Sequence, residues 1–265
     1  VSTCTAEKIR VIVLAGRRPE GDPVADMFNV KYKAAAHIGG RAMLNRVVDA
    51  LDASGRVSDI FILTQSPEDM AALEDFEPFK ARRDVTFVAS GDSICGSIVD
   101  FLDSHPSNQP TLVTTCDHVL LTGSDVAAFL DGQPLDTDIA VGLVPAETVL
   151  AKIPAARRTW LKFARGAAYT SCNLFLLKGQ RARSVLAFWA GIEHNRKRVW
   201  RLAWHFGPLV FIAFALRLLS LESAFSRASH SIGATVHPVI LKEAHLSIDV
   251  DKPSDVMIAS EILDT

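Results

Sequence analysis

Two short acidic segments, far apart in the chain, and one cationic loop carry the residues best suited to chemistry. The first segment, Thr114-Thr115-Cys116-Asp117-His118, closes a short apolar run that begins after Pro110. A carboxylate just past the end of a buried strand is poorly placed for a core and well placed to hold Mg2+ against nucleotide phosphates. The plainer reading of Asp117 is a turn or helix-capping carboxylate. His118 is expected to point into the sheet and is given no catalytic part. The second segment is Ile248-Asp249-Val250-Asp251-Lys252-Pro253-Ser254-Asp255. The loop runs from Gly16 to Lys33 and carries Arg17, Arg18, Gly21, Asp22 and Pro23. A loop this long directly after a strand is more often functional than idle. Its cations and bare backbone N–H groups suit a phosphate chain; the alternative is a surface loop with solvated arginines.

These residues need a scaffold, and the hydrophobic pattern supplies one. Val11-Ile12-Val13-Leu14-Ala15, stopped by Gly16, reads as a strand buried on both faces. An amphipathic helix begins near Met43, with Leu44, Val47, Val48 and Leu51 on one face. Strands follow at Asp59–Thr64, Val85–Ala89, Thr111–Thr115 and Asp138–Val144. Between them fall a short helix around Asp69–Leu73, a helix from Ile94 to Leu102 capped by Ser93, and one from Ser124 to Leu130. Strands alternating with helices imply βαβ units and a mostly parallel sheet, with ligands beyond the carboxyl ends of its strands. The loop after Ala15 and the residues after Thr115 then face one site.

Beyond Val144 the pattern changes. Arg157–Phe163 alternates and reads as a strand, Ala164–Ala168 as a turn, Cys172–Leu177 as an apolar strand and Gln180–Ile192 as a helix. A basic run, Arg196-Lys197-Arg198 with Arg201, precedes a strongly apolar helical stretch from Pro208 to Ala224. Val236–Leu241 and Ser247–Val250 read as strands, and Pro253–Leu263 as a closing helix with Pro in its first turn. A membrane span needs roughly 20 apolar residues, and Leu209–Leu219 is shorter and contains Arg217, so no transmembrane segment is expected. The basic run leaves peripheral membrane contact open; the favoured expectation is a helical subdomain packed on the sheet or on a partner, which also leaves a homodimer open.

A chain of 265 residues with 49% hydrophobic and 22% charged residues can bury a sizeable core. A net charge of −2 provides no global basic field, which argues against a nucleic-acid partner. The four cysteines are scattered without CxxC spacing and read as reduced, mostly buried thiols of a cytoplasmic protein. Val1–Lys8 is too short and polar for a signal peptide.

The Val11–Leu44 stretch resembles the signature loop of the MobA-like nucleotidyltransferases. Leu14-Ala15-Gly16 stands for the family's LAG, Lys33 for its lysine, and Gly39-Gly40-Arg41-Ala42-Met43-Leu44 for its Gly-x-Pro-Met/Leu-Leu turn. Arg17 and Arg18 replace the second Gly and its neighbour. Cys116-Asp117 resembles the family's metal-binding Cys-Asp-x-Pro, with Val119 in place of Pro. Asp249-Val250-Asp251-Lys252-Pro253 resembles its closing Asp-x-Asp-Thr-Pro motif, with Lys252 in place of Thr. The resemblance implies an α/β, Rossmann-like nucleotide-diphospho-sugar transferase sandwich of the GT-A type: one domain over residues 1–265, with a mostly parallel central sheet and a C-terminal helical insert at 180–231. It implies Mg2+ on Asp117 and Asp251, with Asp249 the alternative to Asp251. Lys33 with Arg17 or Arg18 would stabilise charge on a nucleoside triphosphate. Leu14, Ala15, Gly16, Lys33 and Asp92 would bind the nucleotide, and Asn173 a phosphorylated small-molecule acceptor, with a backbone contact the alternative for Asn173. Asp255 is expected at the N-terminus of the last helix. A glycosyltransferase of similar topology, which usually shows Asp-x-Asp where Thr115-Cys116-Asp117 stands, and a non-catalytic nucleotide-binding regulatory or assembly protein remain the alternatives.

Overall fold

The computed structural model describes residues 8–17, 21–193 and 208–264. The chain divides into two compact units: residues 1–90, 110–131 and 248–265 in the first, 91–109 and 132–247 in the second.

In the first unit the strands are β1 (Ile9–Leu14), β2 (His37–Ile38), β3 (Arg41–Ala42), β4 (Val57–Thr64), β5 (Val85–Ala89) and β6 (Thr111–Thr115). β6, β1, β4 and β5 lie side by side in that order, all parallel. Val11, Ile12 and Val13 are wholly buried, as a strand covered on both faces must be. The chain steps from β1 to β4 and β5 on one side, then crosses to place β6 on the other. The reversal makes the gap beyond the carboxyl ends of β1 and β6 a switch point, where neighbouring loops part. Leu14 is in register with Thr115, and Cys116 N–H donates to the Leu14 carbonyl at 3.0 Å. The loop after β1 and the turn after β6 therefore leave the sheet together.

Helix Met43–Ala53 buries Met43, Leu44, Val47, Val48 and Leu51, the face its periodicity marks. The β2–β3 hairpin turns through Gly39 (φ 55°) and Gly40 (φ 74°); two consecutive left-handed residues are what a two-residue hairpin demands and glycine supplies. The Gly16–Lys33 loop is not bare coil. Asp22 caps a five-residue helix, Pro23–Met27, its Oδ1 accepting from Val24 N–H at 2.9 Å and Ala25 N–H at 3.2 Å. Helix Pro253–Leu263 packs against that helix. The expected strand at Ser247–Val250 does not form: Ala244–Ser247 is a 3-10 turn. Val250 N–H donates instead to the Asp117 carbonyl at 3.0 Å; Ile248 and Val250 are apolar because they are buried, not because they join a ladder.

The second unit holds β7 (Ile139–Pro145), β8 (Leu161–Lys162), β9 (Ala168–Leu177) and β10 (Val236–Ile240). β10 runs parallel to β7, while β9 is antiparallel to both β7 and β8. The β7–β9 register slips between Val141 and Leu143. Gly142 is needed there, because a Cβ would stand 2.5 Å from Cys172 Sγ; Asn173 beside it takes φ 53°. The expected strand over Arg157–Phe163 shrinks to Leu161–Lys162, since alternation marks only a half-buried face and these two residues alone find partners, Tyr169 and Ala168. Helices at Ala146–Lys152 and, in the first unit, Glu77–Lys80 were not expected. The apolar stretch after Pro208 breaks into helices Pro208–Ala215 and Leu221–Ile232. Arg217 takes φ 57° between them, and Ser220 caps the second, accepting from Ser223 N–H at 3.2 Å. The basic run at 196–201 lies outside the described residues. Among the described residues no helix is long and apolar enough to cross a membrane.

Candidate active site

Three separate pieces of the first unit bring charged side chains to one point. Lys33 opens a 3-10 turn, Lys33–Ala35, whose Ala34 and Ala35 are buried and so fix the backbone beneath the side chain. Its Nζ donates to Asp117 Oδ2 at 2.6 Å and to Asp251 Oδ1 at 2.8 Å. Asp22 Oδ2 lies 3.8 Å from the same nitrogen. The lysine side chain is 10% exposed and those of Asp22 and Asp117 are 7% and 12%. An acid after β1, one after β6 and one before the last helix thus surround a single ammonium.

Each carboxylate is held from behind. Thr115 Oγ1 donates to Asp117 Oδ1 at 2.5 Å. Asp22 is tied by its capping bonds. Asp251 N–H and Lys252 N–H donate to Asp255 Oδ2 at 3.2 and 3.0 Å, so Asp255 fixes the backbone that presents Asp251 and stands at the helix N-terminus, where negative charge is favoured. Burial opposes the charge on Lys33. The Coulombic pull of Asp117 and Asp251 outweighs it, and the Lys33 pKa is held well above the usual lysine value. Burial, with the negative Asp117 next to it, pushes the Cys116 thiol up to about 12 against the pull of Lys33. Lys33 is therefore a fixed cation and Cys116 a neutral, buried thiol; neither is a base or nucleophile near neutral pH.

Beside this cluster is a pocket of ≈ 100 Å³, lined by Gly16, Arg17, Asp22, Asp26, Lys31 and Lys33 among others. Gln65 braces the backbone of Arg17, which lines it: Oε1 accepts from Arg17 N–H at 2.7 Å, and Nε2 donates to the Arg17 carbonyl at 3.2 Å. A Cβ at Gly16 would meet Gln65 Nε2 at 3.0 Å. Glycine with exposed cations beside it leaves room for an anion to approach the backbone. Ala15, the last residue before this loop, is buried, and its N–H donates to the Leu63 carbonyl at 2.9 Å. Leu14 ends β1. Arg17 is exposed at the pocket, and Arg18 lies outside the described residues. Asp92 and Asn173 belong to the second unit. Asp92 is exposed just before Ser93, which caps helix Ile94–Ser104 by accepting from Gly96 N–H at 2.9 Å. Asn173 is a half-buried bulge residue whose N–H donates to Ser171 Oγ at 3.4 Å. His118 is buried. Sequence reasoning passed over Asp22 and Gln65 as site residues. Asp22-Pro23 did carry a signal, a capping residue before a proline suited to N1; Gln65 carried none.

The profile of the MobA-like NTP transferase domain matches residues 12–187. The chain belongs to the MobA-like NTP transferase family. Among solved structures, one described as a hypothetical transferase from Thermus thermophilus is 26% identical, with a TM-score of 0.76 over 94% of this chain and 99% of that one. A 4-diphosphocytidyl-2C-methyl-D-erythritol synthase from Anaerococcus prevotii shares the fold at 9% identity and a TM-score of 0.57, over 97% of each chain. So does a CMP:2-keto-3-deoxy-manno-octonic acid synthetase solved with CTP, at 14% identity and a TM-score of 0.59, over 97% of this chain and 99% of that one. No curated protein matches the chain in sequence. Together these place it in a mostly parallel, Rossmann-like nucleotidyltransferase fold with a C-terminal helical extension, and family membership supports a nucleotidyltransferase-type reaction.

MobA-like enzymes imply a divalent metal, and the donor set of this chain fits one. Asp117 Oδ2 and Asp251 Oδ1 both lie within 2.8 Å of one cationic nitrogen, so hard oxygen donors already converge on a positive charge. Among the described residues no group of three or more His, Cys, Asp or Glu is set to hold an ion by itself. Mg2+ does not require such a cage, since it is commonly held by one or two carboxylates, waters and substrate phosphates.

Proposed function

We propose that this protein transfers a nucleoside monophosphate from a nucleoside triphosphate to a phosphorylated small molecule, with Mg2+, and releases pyrophosphate. The observation that carries this reading is the meeting of Lys33, Asp117 and Asp251 next to a pocket lined by Gly16, Gly21, Arg17 and Lys31 together with Asp22 and Asp26. Asp117 and Asp251 are the residues that would hold Mg2+, which when bound neutralises phosphate charge and favours departure of pyrophosphate. The chain's own contribution is position and charge. Lys33, locked in its protonated form, donates to the triphosphate rather than accepting a proton, and Arg17 or Arg18 adds charge at the pocket mouth. Leu14, Ala15, Gly16 and Asp92 complete the nucleotide-binding set, and Asn173 contacts the acceptor. The nucleophile is an acceptor phosphate oxygen, already ionised near neutral pH, so no general base is needed; the gain comes from orientation and electrostatic stabilisation.

The acceptor class is a sugar phosphate, an alcohol phosphate or a molybdopterin-type cofactor, and no nucleic acid takes part. We treat residues 1–265 as one catalytic domain with its helical insert at 180–231, working in the cytoplasm, the apolar insert packed on the sheet or on a partner subunit. Pyrophosphate release, measured with each of the four nucleoside triphosphates against a panel of phosphorylated acceptors, tests the reaction. Release that depends on one acceptor and on Mg2+ is expected. Tight triphosphate binding without release under any combination would turn the reading to a nucleotide-binding regulatory protein.

A further inference from the structure

The ammonium of Lys33 occupies the place where the carboxylates converge. It touches Asp117 at 2.6 Å and Asp251 at 2.8 Å, with Asp22 at 3.8 Å, and all but Asp251 are close to fully buried. The same side chain lines the pocket that holds Gly16, Arg17 and Lys31. Lys33 thus stands between two demands for positive charge, one permanent and one that arrives with substrate. Three carboxylates this close repel one another unless a cation sits among them. A divalent ion and an ammonium cannot both fill that space.

From this geometry we infer that Lys33 is the resident counter-ion of the carboxylate site and keeps free divalent metal out until a triphosphate arrives. The inference rests on Asp117 and Asp251 being the metal ligands, as proposed above. With the site unliganded, Lys33 neutralises the acids, and a lone metal ion would have to break the hydrogen bonds of a largely buried ammonium to both Asp117 and Asp251 and push it toward a pocket where Arg17 and Lys31 offset the charge of Asp22 and Asp26. Once a triphosphate lies in that pocket, Lys33 has phosphate oxygens to turn to, and the acids are released for the metal. Metal and nucleotide are then bound as one event. Asp22 is the positioning residue of this arrangement: its Oδ1 is committed to the helix cap, which leaves Oδ2 facing Lys33 from a rigid support.

Direct binding of Mn2+, measured by equilibrium dialysis as metal retained on the protein side over a protein-free control with the same triphosphate, tests this without reference to turnover. Wild-type protein with Mn2+ alone should bind at least tenfold more weakly than Lys33→Met, and adding a nucleoside triphosphate should bring wild type to the tight state. Mn2+ alone should raise the melting temperature of Lys33→Met and not that of wild type. The wild-type half of the experiment stands even if Lys33→Met and the milder Lys33→Gln fail to fold. In Lys33→Met/Asp117→Asn the Mn2+ affinity should be lost. Wild type binding Mn2+ alone as tightly as Lys33→Met would overturn the counter-ion role and leave the metal site standing. If Mn2+ binds neither protein alone, the counter-ion role is wrong; if wild type also gains no Mn2+ with any of the four triphosphates, the metal site itself falls with it.

Discussion

The molecule handles charge in two contrasting ways. In the first unit Lys33 is buried among carboxylates drawn from three distant stretches of chain. In the second, Arg183 reaches from helix Gly179–Glu193 to Asp103 on helix Ile94–Ser104, with a two-pronged contact of 2.5 Å on each side. The second pair has the better hydrogen-bond geometry, yet it lies in water, where screening leaves such pairs little net effect. The first lies where desolvation is severe and each partner compensates for the others. A buried, like-charged group of acids is a poor way to stabilise a fold. Its retention at the carboxyl ends of β1 and β6 is what a site for a cationic ligand and an anionic substrate would require.

The comparison breaks first at Asp117. Asp117→Asn should lower the pyrophosphate-release rate by at least about a hundredfold, the scale of losing a preorganised electrostatic group, with the circular dichroism spectrum unchanged; near-normal turnover would leave the buried cluster without a catalytic role. Lys33→Ala should destabilise the protein by about 3 kcal/mol, because it strands acids in a desolvated place, and should raise the triphosphate KM or lower kcat. Lys33 also sets a sign with pH. Its folded pKa is raised, so its contribution to stability is complete below its unfolded value, roughly 10.4, and is lost only as pH rises through the folded value. Denaturant titrations of wild type and Lys33→Ala should therefore differ by a constant amount between about pH 6 and 9.

Thiol labelling sharpens the contrast between inside and outside. Iodoacetamide at pH 8 should modify half-buried Cys95 and spare Cys116 and Cys172, which are buried; mass mapping before and after denaturation checks it. The smallest effect is expected at the exposed pair. Arg183→Ala should leave the denaturation midpoint and turnover within error at neutral pH. Asp103 is held below the usual carboxylate range by its hydrogen bond to Arg183, so whatever the pair adds is present above the unfolded carboxylate pKa and fades as pH falls through the depressed one. A large loss in this variant would mean the second unit leans on surface charge more than its exposure suggests.

Much of the scaffold was legible in the residues. Thr111–Thr115 and Pro253–Leu263 form where the pattern put them, because a Pro-bounded apolar run and a Pro-led helix start are local signals. Arg157–Trp160 misled, since alternation reports a half-buried face and says nothing about a ladder partner. Ser247–Val250 misled for the related reason that buried and paired are different conditions.

The sequence alone determined the candidate chemistry: the kinds of group available, a lysine after a long loop and acids after buried segments, together with the switch from β to α periodicity that sets an α/β fold. Tertiary structure decided which of them meet. Only the parallel register of β1 with β6, the bond from Val250 to the Asp117 carbonyl and the capped helix at Asp22 place three acids around one ammonium. Those contacts join residues with no local constraint on one another, and long-range convergence of that sort is a property of the packed chain, not of any window within it.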